Sequence, residues 1–242
     1  AGNPLSPGTY IVGVINSGTA APMTYQIFSR GIGAGYAIPV GTAPFMGSVT
    51  NNNLLAREAA YYRVEVPANQ PNWKLRLAST VGESLLMLQR SNLVSVAAAG
   101  SSPATLNGGR ALQKAGNEHY LLLPEPGQTT IPGGTYYIAI ASEGQNPVSN
   151  RIGSNTCSSV LTSYGPLATL SLGSVGGADL THADSLEAGE IRLYDFNVPS
   201  GTAAVELRLD NPVGNARMTL RAGSGAPTPY WSYGRNGGQG YS

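Results

Sequence analysis

The sequence is poor in charge, in cysteine, in histidine and in lysine. Only 11% of its 242 residues are Asp, Glu, Lys or Arg, against about a quarter in an ordinary soluble domain. The 14 basic and 13 acidic residues leave a formal charge of +1, so no strong field selects nucleic acid or an anionic membrane. Much of the surface must instead be Ser, Thr, Asn, Gln and Gly. Cys157 is the single cysteine, which excludes an intrachain disulfide; stability must come from packing or from a partner, and a small buried thiol is expected. No run approaches the roughly 18 apolar residues of a membrane helix, so membrane insertion is not expected. A charged leader followed by an apolar stretch is also missing, and any signal peptide is expected to have been removed or to lie outside these residues. There is no Gly-x-Ser-x-Gly elbow to hold a nucleophile.

Glycine and proline are abundant, at 32 and 17 residues, and 41% of the chain is hydrophobic. That is turn-rich but sufficient for a core, and it excludes a coiled coil and a collagen. Alternation with period two recurs. Tyr62, Val64 and Val66 share one side of a predicted strand that Pro67 stops, while Tyr61, Arg63 and Glu65 share the other. Leu75 and Leu77 alternate with Lys74 and Arg76, and Leu86 and Leu88 with Met87 and Gln89. Tyr136, Ile138 and Ile140 follow a Pro132-Gly133-Gly134 turn signal, and Val205, Leu207 and Leu209 alternate with Glu206 and Arg208. Helical character is confined to short stretches at 54–60 and 111–116, which read equally as loop. The expected fold is all-β: antiparallel sandwich modules with one wet face per sheet.

An internal repeat organises these strands. Tyr61-Tyr62-Arg63-Val64-Glu65-Val66-Pro67 matches Leu193-Tyr194-Asp195-Phe196-Asn197-Val198-Pro199 at an offset of 132 residues. Lys74-Leu75-Arg76-Leu77 matches Glu206-Leu207-Arg208-Leu209, and Leu86-Met87-Leu88 matches Met218-Thr219-Leu220, at the same offset. A second correspondence runs toward the start of the chain. Pro7-Gly8-Thr9-Tyr10-Ile11-Val12-Gly13-Val14 matches Gly133-Gly134-Thr135-Tyr136-Tyr137-Ile138-Ala139-Ile140 at 126 residues, and Ser29-Arg30-Gly31 matches Ser163-Tyr164-Gly165 at 134. The period is that of one small domain.

The order of the pieces carries the expectation about function. Residues 1–40 read as the second half of a module, residues 41–175 as a whole one, and residues 176–242 as a first half. On the last segment Tyr194, Phe196, Val198, Leu207, Leu209, Met218 and Leu220 lack a covering layer. Tyr10, Val12, Val14, Tyr25 and Ile27 lack one on the first. At roughly 1.5–3 kcal/mol per buried large side chain, leaving them wet forfeits on the order of 10 kcal/mol, as much as a domain's whole stability. Three arrangements satisfy them: closure within one chain, pairing with the next chain to give a head-to-tail filament, or membership of a longer tandem array. The expected partner is a second copy of the chain.

The strand motifs resemble bacterial pre-peptidase C-terminal domains. Pro7-Gly8-Thr9-Tyr10-Ile11-Val12, followed by Asn16-Ser17-Gly18 and Met23-Thr24-Tyr25-Gln26-Ile27, is similar to that family's closing hairpin. Glu187-Ala188-Gly189 leading to Tyr194-Asp195-Phe196-Asn197-Val198-Pro199-Ser200-Gly201 is similar to its opening strands, as is Tyr61-Tyr62-Arg63-Val64-Glu65-Val66-Pro67-Ala68. The resemblance spans most of the chain; an insertion at 91–118 departs from it. It implies a jelly-roll-like sandwich of a secreted or cell-surface protein that spaces modules or binds matrix or glycan, rather than a reaction.

Candidate chemistry is sparse. His119, beside Tyr120-Leu121-Leu122-Leu123, and His182, in the linker-like Asp179-Leu180-Thr181-His182-Ala183-Asp184, read as structural or solvent-facing residues. Two histidines and one distant cysteine do not make a zinc site. Calcium is the better metal candidate, near Asp179, Asp184 and Glu187, because related collagen-binding modules hold calcium near such a linker; the spacing matches no calcium loop, and a solvated linker is the plainer reading. Gly31, Gly33 and Gly35 precede no Lys-Ser/Thr and read as a turn. The aromatic, glycine-rich tail at 230–241 is expected at the subunit junction. No cofactor, metal or catalytic residue is assigned, and the chain is not expected to be an enzyme.

Overall fold

The computed structural model describes residues 8–16, 22–27, 38–56, 58–94, 110–112, 116–125, 127–142, 156–223, 225–227 and 238–239. Its strands are β1 (Val40–Thr42), β2 (Met46–Leu54), β3 (Ala59–Val66), β4 (Trp73–Val81), β5 (Ser84–Arg90), β6 (Arg110–Leu112), β7 (Glu118–Leu122), β8 (Gly134–Ser142), β9 (Cys157–Gly165), β10 (Thr169–Ser174), β11 (Leu193–Asn197) and β12 (Gly238–Gln239). No helix occurs among the described residues. The described residues of the stretches at 54–60 and 111–116 are strand ends and turns.

Two five-stranded sheets form a sandwich, ordered β1-β3-β8-β5-β6 and β12-β7-β4-β9-β2. All pairings within them are antiparallel except β1 with β3. Val64, Val66, Leu86, Leu88, Tyr136, Ile138 and Ile140 of the first sheet meet Trp73, Leu75, Leu77, Tyr120 and Leu161 of the second in one core. The period-two reading of β3, β4 and β8 therefore selects the inward residues correctly. Trp73 sits at the centre. Its ring stacks edge-on to Tyr136 at 5.3 Å and tilts against Phe45 at 6.0 Å, and its Nε1–H donates to Ser163 Oγ at 2.8 Å. Cys157 is a buried thiol that accepts a hydrogen bond from Ser84 Oγ at 3.3 Å.

The expected wet outer faces need correction. On the first sheet Met87 and Ala139 are buried together with Val94, and Tyr61, Leu85, Tyr137 and Ala141 pack around them. Met87, on the side opposite Leu86 and Leu88, thus sits in a second, smaller apolar cluster. On the second sheet the outward residues Lys74, Arg76 and His119 lie under the segment that leads to β11. Each sheet has an outer face that is partly covered.

Outside the sandwich, β10 pairs with β11 in parallel, Thr169 opposite Leu193, as β1 pairs with β3, Val40 opposite Tyr61. Other backbone features recur 132 residues apart. Glu58 N–H donates to Leu55 C=O at 2.9 Å and Glu190 N–H to Glu187 C=O at 3.0 Å. Positive φ angles at Asn69 (62°), Gly82 (64°) and Ser91 (66°) reappear at Gly201 (84°), Gly214 (91°) and Gly223 (98°). These are turn positions in the left-handed region, where glycine and asparagine are favoured. The chain path of 61–91 is thereby marked at the same points as that of 193–223, although no residue from Val198 to Gly223 joins a ladder.

Candidate functional site

The residues expected at an interface fall into two exposed groups. Tyr10, Val12, Val14, Tyr25 and Ile27 are all solvent-exposed, and residues 8–16 and 22–27 join no ladder. In the second group Val198 is 45% exposed where Val66, its counterpart 132 residues earlier, is 3% exposed. Leu209 is 49% exposed against 0% for Leu77, and Leu220 is 69% against 4% for Leu88. Tyr194 and Met218 are exposed as well; Phe196 and Leu207 are half-buried. The sequence that builds a core in the sandwich builds an open apolar surface in its repeat. Contacts, not residue type, separate the two.

Beside this surface lies a charged cluster that sequence reasoning missed. The turn closed by Glu190 N–H and Glu187 C=O, with Gly189 at φ 76°, presents two carboxylates to the outer side of the second sheet. Glu187 accepts from Arg76 at 2.9 and 3.2 Å, from Asn117 Nδ2 at 2.9 Å, and pairs with His119 Nε2 at 2.8 Å. Glu190 pairs with Lys74 Nζ at 2.8 Å and with Arg192 at 3.6 Å. Asp184 accepts from the Tyr194 hydroxyl at 2.9 Å and pairs with Arg192 at 3.1 Å, which ties β11 itself to the cluster. His182 lies beside Asp184 at 3.8 Å and against the Tyr194 ring at 5.4 Å. The linker is docked, not merely solvated.

The donors on Glu187 hold its carboxyl well below the usual range, at about 2, with the Arg76 guanidinium the largest cause, then Asn117 and His119. Burial pushes the His119 imidazole below its ordinary value, against the opposing pull of the Glu187 hydrogen bond. Because Glu187 accepts only, Nε2 carries the proton in that pair. His119 Nδ1 is buried without a partner among the described residues, and a bare nitrogen tolerates that better than an N–H. Both groups therefore make the docked turn sensitive to acid. A lowered carboxyl contributes stability that is complete above its unfolded value near 4.5 and fades toward 2. We expect Glu187→Gln to flatten this acid limb, read from the His119 ring resonances as pH falls from 5 to 2. The neutral-pH stability of the sandwich should change by less than about 1 kcal/mol, since the Glu187 side chain is 46% exposed.

Among the described residues no group of three His, Cys, Asp or Glu side chains converges; Glu187 and Asp184 are taken up by basic and hydroxyl partners, and Asp179 does not join them. The cavity under the turn, lined by Lys74, His119, Tyr120, Leu121, Gly189 and Ile191, has a volume of about 10 Å³, room for one water rather than a substrate. Of the tail, Gly238 and Gln239 pair with Leu122 and Leu121 of β7, on the edge of the sandwich; its aromatic residues and Gly31, Gly33 and Gly35 lie outside the described residues.

The ladders and the shared core define an all-β protein built on a β-sandwich. No protein-family model matches the chain, and no curated protein matches it. Among solved structures it is similar to the pre-peptidase C-terminal domain of collagenase from Bacillus anthracis, at 12% identity and a TM-score of 0.29, over 52% of this chain and 94% of that one. It is also similar to Aeromonas hydrophila PliG, a periplasmic inhibitor of g-type lysozyme, at 11% identity and a TM-score of 0.30, over 51% of this chain and 96% of that one. The fold assignment rests on the strand ladders themselves.

Proposed function

We propose that this chain is a non-enzymatic extracellular structural subunit that assembles head-to-tail into a surface filament by strand complementation. The first forty residues of one copy complete the module begun by residues 176–242 of the next. One observation carries the reading. Val198, Leu209, Met218 and Leu220 face solvent although their counterparts Val66, Leu77, Leu86 and Leu88 form the sandwich core, and residues 8–27 hold the sequence of the strands that cover those counterparts. Burial of both surfaces supplies the driving force. The low net charge lets copies stack without accumulating repulsion. The extracellular setting follows from the motif resemblance alone. That resemblance also supports a second reading, an accessory module of a larger secreted hydrolase that binds collagen, glycan or another matrix polymer.

Electron microscopy of the purified chain separates the two. Uniform filaments support the structural subunit. Monodisperse particles that bind collagen or glycan would overturn it in favour of the accessory module.

A further inference from the structure

We infer that residues 8–16 of one copy enter as the central strand of a neighbour's open sheet, between β11 and residues 216–220, in the register that β8 holds in the sandwich. The inference rests on the head-to-tail reading above and deepens it, from an apolar contact to a defined insertion.

In the complete sandwich β8 is flanked on both sides. Ile138 lies opposite Tyr62 of β3 and opposite Leu88 of β5, and Ile140 lies opposite Leu86. Transferring these pairs by the two repeat offsets puts Val12 between Tyr194 and Leu220, and Val14 opposite Met218. Val12 is 72% exposed, whereas Ile138, its counterpart, is wholly buried. The turns that bound the acceptor segments recur at Gly201, Gly214 and Gly223. The pairs of Glu190 with Lys74 and of Glu187 with Arg76 hold the segment that leads to β11 against its own sandwich, leaving the side of β11 away from β10 for the incoming strand, as β8 takes the side of β3 away from β1.

The residue pattern also selects the register. In the β8 register Val12 and Val14 point inward and Gly13 takes the outward place of Ala139. A slip of one residue turns every side chain over and puts Gly13 inward, leaving a hole where Ile138 or Ile140, according to the direction of the slip, stands in the sandwich.

Cysteine pairs read this directly, since opposed residues of an antiparallel ladder have Cα atoms about 4.5–5.5 Å apart, within disulfide reach. In the full chain carrying Cys157→Ser, the double variant Val12→Cys/Leu220→Cys should give on oxidation a reducible ladder of covalent dimers, trimers and longer species. The double variant Ile11→Cys/Leu220→Cys, displaced to the other face, should give none. A ladder from the second variant and not the first, with filaments still visible, overturns the register and leaves head-to-tail assembly standing. A covalently closed monomer from the first variant overturns assembly between copies. Neither cross-link, in a chain that stays monomeric, overturns both.

Discussion

Val12→Asp leaves the chain monomeric while its sandwich stays folded; that is the largest effect we expect. The side chain faces solvent in the isolated chain, so a carboxylate there costs the monomer nothing, and its thermal unfolding should be unchanged. In the assembled state the same carboxylate would stand where Ile138 stands in the sandwich core, with no partner. An uncompensated buried charge costs about 3–5 kcal/mol, which weakens each junction by roughly a hundred- to a few-thousand-fold. Phe196→Asp should act the same way from the acceptor side. The informative experiment mixes the two. A Val12→Asp chain keeps an intact acceptor and a Phe196→Asp chain an intact donor, so together they form one good junction. The two ends that remain are both spoiled, and growth stops at a dimer. A head-to-tail contact requires this outcome, because its two surfaces are different. Analytical ultracentrifugation of each variant and of the mixture reads it, and filaments from either variant alone would count against the proposal.

Trp73→Ala is expected to destabilise the sandwich by about 3–5 kcal/mol, the usual loss for a buried tryptophan truncated in a core. The ring is wholly buried between Phe45 and Tyr136, and no neighbouring element is free to collapse into the space. The indole also donates to Ser163 Oγ, and that hydroxyl in turn donates to the Phe45 carbonyl; removal of the indole strips one link from a buried chain of hydrogen bonds. For a domain of this size the change lowers the melting temperature by roughly 10–20 °C. Trp73→Phe keeps most of the packing and loses the N–H, so its cost should stay near 1–2 kcal/mol. A Trp73→Ala melt within a few degrees of the parent would show that this core relaxes in a way its packing does not suggest. Filament formation, if the two ends act apart from the sandwich, should survive Trp73→Phe unchanged.

Much of the core was legible from alternation alone. Period two puts Val64 with Val66, Leu75 with Leu77 and Ile138 with Ile140 on one side of their strands, and all six are buried. Leu86 and Leu88 share a side as well, and Met87 between them falls on the opposite one, where one wet face per sheet would leave it in solvent. It is buried on the other face, under Val94. A strand's pattern states which residues share a side; it does not state what lies against that side. Glu187 was read as part of a solvated or calcium-binding linker. Its partners Arg76, Asn117 and His119 are 111, 70 and 68 residues away, and nothing local in the sequence announces them. His119 reads from sequence as structural or solvent-facing; its side chain is buried and its Nε2 lies against Glu187.

By itself the sequence determined the alternation along the strands of the sandwich, the turns that bound them and the 132-residue spacing at which the pattern returns, because each is written in the order of the residues. Only the tertiary structure decided the order of strands in each sheet, the cover over each outer face and the docking of the Glu187 turn. It also decided that the same apolar pattern is buried at 61–88 and open at 193–220. Burial is a property of neighbours brought together from distant positions, and a side chain's own identity does not contain it.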